Sequence, residues 1–220
     1  TRGSLSYSFT DAEKWKGPGD LGPRNNANFM LQQPVWGNDE VKIWFNYNDV
    51  EQDSYRALTF SETLDLDRNR NLDFNAERTG RRSQDIYYYK NNRADLTNVD
   101  VMSIIPLTLN ETLKLNFKPY YSYEDSTILA GTTAQGGIVQ ERLRDIERYG
   151  LISEVAAAFS PMNVSVGYIV ESNDMKINTK NYNPVTSAYL GWGNYSENED
   201  NGILQSPYLK LSGKLTDFDW

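Results

Sequence analysis

Leu113-Lys114-Leu115-Asn116-Phe117-Lys118-Pro119-Tyr120-Tyr121-Ser122-Tyr123-Glu124 is the stretch that decides the fold. Its odd positions are all apolar or aromatic, and its even positions are polar apart from Tyr120. Side chains alternate across a β-strand, so this segment has one greasy face and one polar face. Val41-Lys42-Ile43-Trp44-Phe45-Asn46-Tyr47-Asn48 repeats the pattern. Working outward, the alternation predicts strands over residues 3–10, 27–35, 40–50, 95–107, 113–124, 149–160, 164–171 and 205–215. In the first, Leu5, Tyr7 and Phe9 oppose Ser4, Ser6 and Ser8.

The connections carry a second signal. Compact turns follow every second strand: Trp36-Gly37-Asn38-Asp39, Leu109-Asn110-Glu111-Thr112 and Ser160-Pro161-Met162-Asn163. Leu215-Thr216-Asp217-Phe218-Asp219-Trp220 reads as a fourth, with a further strand starting. Between them lie long polar stretches over residues 11–26, 51–94, 125–148 and 172–204. Outer-membrane β-barrels alternate short periplasmic turns with long extracellular loops in this way. The predicted strands suit a span of about 9–11 tilted residues. The expectation is an all-β, antiparallel up-and-down meander of about eight strands of a transmembrane β-barrel, incomplete as a barrel. Pro119, in mid-strand, strains this assignment most, because proline removes a ladder donor.

Parity also sorts the residues by environment. Tyr47, Tyr121, Tyr123, Tyr149 and Tyr168 fall on the apolar parity near strand ends, where an interfacial aromatic girdle belongs. Lys42, Lys114, Asn116, Lys118, Glu154, Glu171, Lys210 and Lys214 fall on the opposite parity, toward a lumen. A charge facing lipid near the midplane costs about 2–4 kcal/mol, so this segregation has a physical reason.

Composition bounds the rest. The chain has 220 residues, 13% of them aromatic, and a net charge of -8. A mean hydropathy of -0.66 is compatible with a barrel, where only alternate residues meet lipid. No apolar run reaches the roughly 18 residues of a transmembrane helix. Cysteine and histidine are both absent, which removes thiol chemistry, imidazole bases and the common zinc sites. The acidic balance disfavours nucleic acid as a partner. The chain starts at Thr1 and is expected to be an excerpt of a longer protein.

At this point the segment resembles the barrel of TonB-dependent outer-membrane receptors. The likeness rests on residues 3–9 and 41–55, on Glu147-Arg148-Tyr149-Gly150-Leu151-Ile152-Ser153-Glu154, on residues 166–174, and on Ser206-Pro207-Tyr208-Leu209-Lys210-Leu211-Ser212-Gly213-Lys214. It covers most of residues 1–220 but contains no signature motif. It implies a partial receptor-like barrel domain, about a third of a barrel of roughly 22 strands. It further implies import of a small nutrient such as a ferric siderophore or cobalamin across the outer membrane of a Gram-negative bacterium. Outer-membrane lipid and the nutrient would be its partners, with TonB engaged through a plug domain not present here. A self-contained eight-stranded barrel and a soluble β-rich carbohydrate-binding module stay open as alternatives. An enzyme is not expected: lone carboxylates such as Glu154 and Glu171 read as polar wall, not as a glycosidase pair.

Two loop groups are candidate sites. Arg78, Arg81 and Arg82 precede Tyr87-Tyr88-Tyr89-Lys90 in the longest connection, and Tyr182 and Trp192 lie in the last one. Cations and aromatics together suit an anionic or catecholate ligand. Arg142, Arg144 and Arg148 form a second basic cluster. Asp65, Asp67, Asn69, Asn71 and Asp73 place oxygen ligands at every second position, as a loop calcium site would, though Arg70 stands where an EF-hand has glycine. No other cofactor is implied. Gly17-Pro18-Gly19-Asp20-Leu21-Gly22 matches a dinucleotide pattern by letter but leads into Pro23 and an Asn-rich stretch, so it reads as a turn.

Overall fold

The computed structural model describes residues 1–197, 202–215 and 218–219. The chain is an antiparallel meander forming a single open sheet. Its strands are β1 (Arg2–Thr10), β2 (Arg24–Trp36), β3 (Asp39–Asp53), β4 (Arg93–Thr108), β5 (Leu113–Thr132), β6 (Ile138–Phe159), β7 (Met162–Tyr182), β8 (Tyr189–Glu197), β9 (Gly202–Leu215) and β10 (Phe218–Asp219). Each strand pairs with its predecessor from β1 to β7. β8 and β9 then share the next place: β9 pairs with Met162–Asn173 and β8 with the remainder of β7. Among the described residues β1 pairs only with β2, and β9 does not return to it, so both sheet edges are open.

Register carries the predicted parity across the whole sheet. Leu5, Phe29, Phe45, Val101, Tyr121 and Tyr149 lie opposite one another in sequence from β1 to β6. A second row links Leu107, Leu115, Val155, Val166 and Leu209. Lys118, Ile152 and Ile169 lie on the other face, as do Lys114, Ala156, Ser165 and Lys210. The apolar face is bare. Leu5, Val166 and Leu209 are each more than half exposed, and no second layer covers them among the described residues. On β5 this band runs from Leu113 to Tyr123, a height of roughly 26 Å at the usual strand rise and tilt, against about 25 Å for a barrel's apolar belt. Asp49, Asp125, Asp145, Glu147 and Asp174 end it on the same parity.

The aromatic boundary is present in β1, β3, β5 and β6. Tyr121 lies opposite Tyr149, Tyr47 and Tyr123 flank Val99, and the Tyr121 hydroxyl donates to Glu147. Tyr168 departs from it. It sits opposite Ser153, level with Phe117 inside the band, and its hydroxyl reaches Gln205.

Two of the expected long loops are largely strand. β5 and β6 continue to Thr132 and from Ile138, and β7 and β8 to Tyr182 and from Tyr189. The strands therefore reach 20 to 22 residues, well beyond the predicted lengths. Past the apolar band neither face keeps a strict apolar parity, so hydrogen-bonded pairing persists where the two-residue signal has vanished. Residues 54–92 remain a long irregular connection. Pro119 is accommodated in the way its missing N–H requires. It pairs with Leu151 of β6, while the β4 ladder skips from Met102–Tyr120 to Ile105–Phe117. At the chain's end Phe218 pairs with Leu215, so a further strand does begin there; Trp220 lies outside the described residues.

Among the described residues, buried aliphatic side chains other than proline are few: Ile86, Ala94, Ile138, Val139 and Ile146. All lie at the long-strand end, where residues 54–92 pack onto β4–β7. That corner holds the molecule's packed core.

Candidate ligand-binding surfaces

The polar face of the sheet is a continuous hydrogen-bonded wall. Asn46 donates to Asp100, Ser122 donates to the same carboxylate, and Arg148 donates to Ser122. Tyr120 of β5 lies opposite Gly150, which lies opposite Glu171, and its hydroxyl crosses the glycine to that carboxylate at 2.5 Å. The arrangement recurs in mirror order. Tyr208 of β9 lies opposite Gly167, which lies opposite Glu154, and its hydroxyl reaches Glu154 at 3.0 Å. A Cβ on Gly150 would stand 2.5 Å from the Tyr120 ring, so glycine makes room for the phenol. Each carboxylate is thus engaged by a tyrosine, and Asn116 also donates to Glu154.

Higher on this face Arg142, Arg144 and Arg148 line one side of β6. Arg144 pairs with Glu124 at 3.2 Å. They stand on a strand, not in a loop, and share the parity of Glu154 and Gly150.

Residues 54–92 form the other candidate surface. Thr59 and Glu62 cap α1 (Phe60–Thr63) reciprocally, the Thr-x-x-Glu capping box. Asp65 caps α2 (Leu66–Asn69) by accepting from the Arg68 N–H. The five residues read as a calcium loop are not brought together. Asp65 is a cap, Asp67 and Asn71 are exposed, and Asn69 donates to the Glu62 carbonyl. Asp73 points into the protein, where Lys14 Nζ stands 2.7 Å from it with both side chains almost wholly buried. Lys14 supplies the positive charge that a cation would bring. The helical turn at residues 66–69 breaks the two-residue spacing on which the calcium reading depended.

That ion pair ties residues 11–23 to residues 54–92. Gly17, at positive φ, lets the Asp73 carboxylate approach its backbone. Burial raises the Asp73 carboxyl, but the Lys14 ammonium and the N–H groups of Arg56 and Phe74 outweigh it, and the pKa falls below the ordinary 3.8. Asp85, at the end of α3 (Arg82–Asp85), behaves likewise. Burial raises it, and the Thr79 N–H and hydroxyl, the Gly80 N–H and the Arg78 charge bring it below 3.8.

Asp85 thereby fixes the turn that presents Arg78. The Arg78 guanidinium stacks on Tyr88, 5.0 Å to the ring centroid, and donates to the Val185 carbonyl and Ser187 hydroxyl in the β7–β8 turn. Asn91 bridges the carbonyls of Asp85 and Pro184. Between the connection and the sheet lies a cavity of about 530 Å³. Arg78, Tyr88 and Lys90 stand on one side of it, with Arg93, Leu129 and Glu141 on the other. Tyr182 closes one end and donates to Glu141 at 2.9 Å. Burial and this carboxylate push the Tyr182 hydroxyl above its ordinary 10.0.

The structure therefore brings together Arg78, Tyr88 and Tyr182 from the candidate set. Arg81 and Arg82 begin α3 outside the cavity, and Tyr87 stacks under Arg56. Tyr89 borders a neighbouring hollow with Asp20, Glu51 and Asp53. Trp192, on β8, meets Tyr195 edge-on and lies under Lys180 of β7. Lys90, at the end of the same cation and aromatic run, also borders the cavity. Arg93 and Glu141 were not singled out by sequence, because both lie on unrecognised strand extensions.

No family model and no curated protein matches the sequence. Among solved structures the chain is similar to one titled "Crystal structure of ferric citrate transporter FecA in the unliganded form". The superposition covers 98% of this chain and 37% of that one, with a TM-score of 0.59 and 13% sequence identity. The fold is that of a β-barrel wall. The chain spans 37% of the length of the protein it matches, and identity this low bears on fold alone.

Proposed function

We propose that the chain is part of the wall of an outer-membrane transporter that imports a small nutrient, a ferric siderophore or cobalamin being the expected class. One observation carries this reading: the register, continuous from β2 to β7 but for a shift at Pro34–Trp36 beside the β2–β3 turn, that puts a bare apolar belt on one face of the sheet and a bonded polar wall on the other. A soluble carbohydrate-binding sandwich covers its apolar face with a second layer, whereas a membrane barrel leaves it to lipid. The open edges at β1 and β9 favour a wall segment over a self-contained eight-stranded barrel. Its short turns face the periplasm and its long hairpins the exterior of a Gram-negative cell.

In this orientation Arg142, Arg144 and Arg148 line the lumenal mouth, where they attract an anionic solute. The chain has no enzymatic role: Glu154 and Glu171 belong to the wall. Energy reaches the transporter from TonB through a plug outside this segment. The test uses the full-length protein. It should need detergent for extraction, migrate differently before and after boiling, and support energy-dependent uptake of labelled ferric siderophore or cobalamin. Full solubility without detergent would remove the membrane reading; a membrane barrel without energised uptake would remove the transport reading.

A further inference from the structure

The cavity beneath residues 54–92 does not open on the lumen. Its strand-borne residues Arg93, Leu129 and Glu141 form one row, and Val139 and Tyr182 the next. By unbroken register these positions share the parity of Tyr121 and Tyr149, the apolar belt. They lie six residues beyond Tyr123 on β5, roughly 15 Å above the belt at ordinary rise and tilt. A solute passing through a lumen would not meet them.

The chemistry of the cavity is specific. Lys90 Nζ has no carboxylate within ion-pair distance among the described residues and lies 5.7 Å from the Tyr89 ring centroid, although Lys90 and Arg93 also border the hollow lined by Asp20, Glu51 and Asp53. Arg93 holds Glu51 only loosely, at 3.6 Å, with both side chains about half exposed. Arg78, in contrast, is committed to the β7–β8 turn. Lys90 is therefore uncommitted, and the exposed Arg93–Glu51 pair is weak enough for a phosphate to displace the carboxylate. Across from them, Glu141 accepts from Tyr182 and pairs with Lys180 through one oxygen, which leaves the other as an acceptor for hydroxyl groups, while the Tyr88 and Tyr182 rings present faces on which a pyranose can lie. A volume of about 530 Å³ lies within the usual range for small-molecule sites.

We propose that this cavity is a peripheral site for a phosphorylated saccharide unit, bound from outside the barrel wall. Lys90 and Arg93 hold the phosphate, Glu141 accepts from sugar hydroxyls, and Tyr88 and Tyr182 flank the ring. Two sources offer this chemistry: a free sugar phosphate, or the phosphorylated headgroup of a surface glycolipid. That the site faces outward rests on the barrel reading; that it binds does not.

Titration of the full-length protein in detergent with glucosamine 1-phosphate, glucosamine, inorganic phosphate and a rough-type lipopolysaccharide tests it. Glucosamine 1-phosphate or the lipopolysaccharide should bind, glucosamine should not, and inorganic phosphate should bind more weakly. Saturation by the lipopolysaccharide alone identifies the glycolipid as source, and equal occupancy by the sugar phosphate identifies a free solute. Lys90→Gln with Arg93→Gln should weaken binding about tenfold or more, through loss of charge-assisted bonds. Arg81→Gln should leave it unchanged. Unaltered heat-modifiable migration establishes that each variant is folded. Absence of binding by both phosphorylated probes, undiminished binding by the double variant, or inorganic phosphate binding as tightly as the sugar phosphate would overturn the proposal. Binding that survives while the alternating lipid exposure of β5 fails would leave the site standing and remove only its outward orientation.

Discussion

Replacing Gly150 by alanine tests the wall's construction at one point. The added Cβ would stand 2.5 Å from Tyr120 Cζ and Oη, well inside contact distance, so the ring must swing away. It then gives up its bond to the Glu171 carboxylate. A hydrogen bond to a charged acceptor contributes about 1.5–3 kcal/mol, and the wet polar face argues for the low end of that range. Alanine meanwhile recovers roughly 0.5–1 kcal/mol of the backbone entropy that glycine costs a strand. The net expectation for Gly150→Ala is a loss of about 1 kcal/mol. In a Tyr120→Ala background the clash disappears and only the gain survives, so the same substitution should stabilise by roughly 0.5–1 kcal/mol. The cycle thus predicts a coupling of about 1.5–2 kcal/mol, well above the few tenths expected of independent sites. Urea unfolding of the full-length protein in detergent, followed by tryptophan fluorescence, measures all four variants. Equal cost in both backgrounds would refute the Tyr–Gly–Glu account. The Tyr208–Gly167–Glu154 row provides an independent repeat.

The remaining predictions concern the loops and the lipid face. Asp73 and Asp85 titrate below the ordinary 3.8 when folded, so they stabilise above that value and lose their contribution as pH falls through it. Proteolysis of residues 54–92 should therefore stay slow down to about pH 4 and accelerate below it; loosening already between pH 5 and 6 would contradict this. Asp73→Asn strands the Lys14 ammonium, a penalty of about 3–5 kcal/mol if it stayed buried. The connection should open instead, and amide exchange at residues 11–23 and 54–92 should rise together; exchange confined to one of them would break the proposed linkage. Ile105→Arg, on the apolar parity, should cost about 2–4 kcal/mol, and Met102→Arg, on the polar parity, far less. Similar costs for the two would undermine the assignment of faces.

The membrane-level part of this fold was legible because lipid imposes a binary choice on alternate residues. Leu113 to Tyr123 had to be apolar at every second position, and they are. Above the belt that constraint ends. Asp125-Ser126-Thr127 and Arg142-Leu143-Arg144-Asp145 are strand as surely as Leu115-Asn116-Phe117, yet lipid dictates neither face there and the period disappears. The calcium reading failed for a related reason: spacing by two implies convergence only in an extended backbone, and Asp65 instead caps a helical turn. Thr59-x-x-Glu62 was a readable sign that helix interrupts this segment. The cavity was half legible. Arg78, Tyr88, Lys90 and Tyr182 carry chemistry that sequence can flag, whereas Arg93 and Glu141 join them only through the docking of residues 54–92 on β4–β7. Long-range pairing such as Lys14 with Asp73 leaves no local trace at all.

The account's central claim is that odd positions of β5 face lipid and even positions face a lumen. The chain contributes no native cysteine, so single cysteines at residues 113–124 of the full-length protein in lipid bilayers can each carry a nitroxide label. Collision with oxygen, which concentrates in lipid, should peak at Leu113, Leu115, Phe117, Pro119, Tyr121 and Tyr123. Collision with a water-soluble nickel chelate should peak at the even positions between them. Uniform accessibility to the chelate along both parities, or a period other than two, would contradict it.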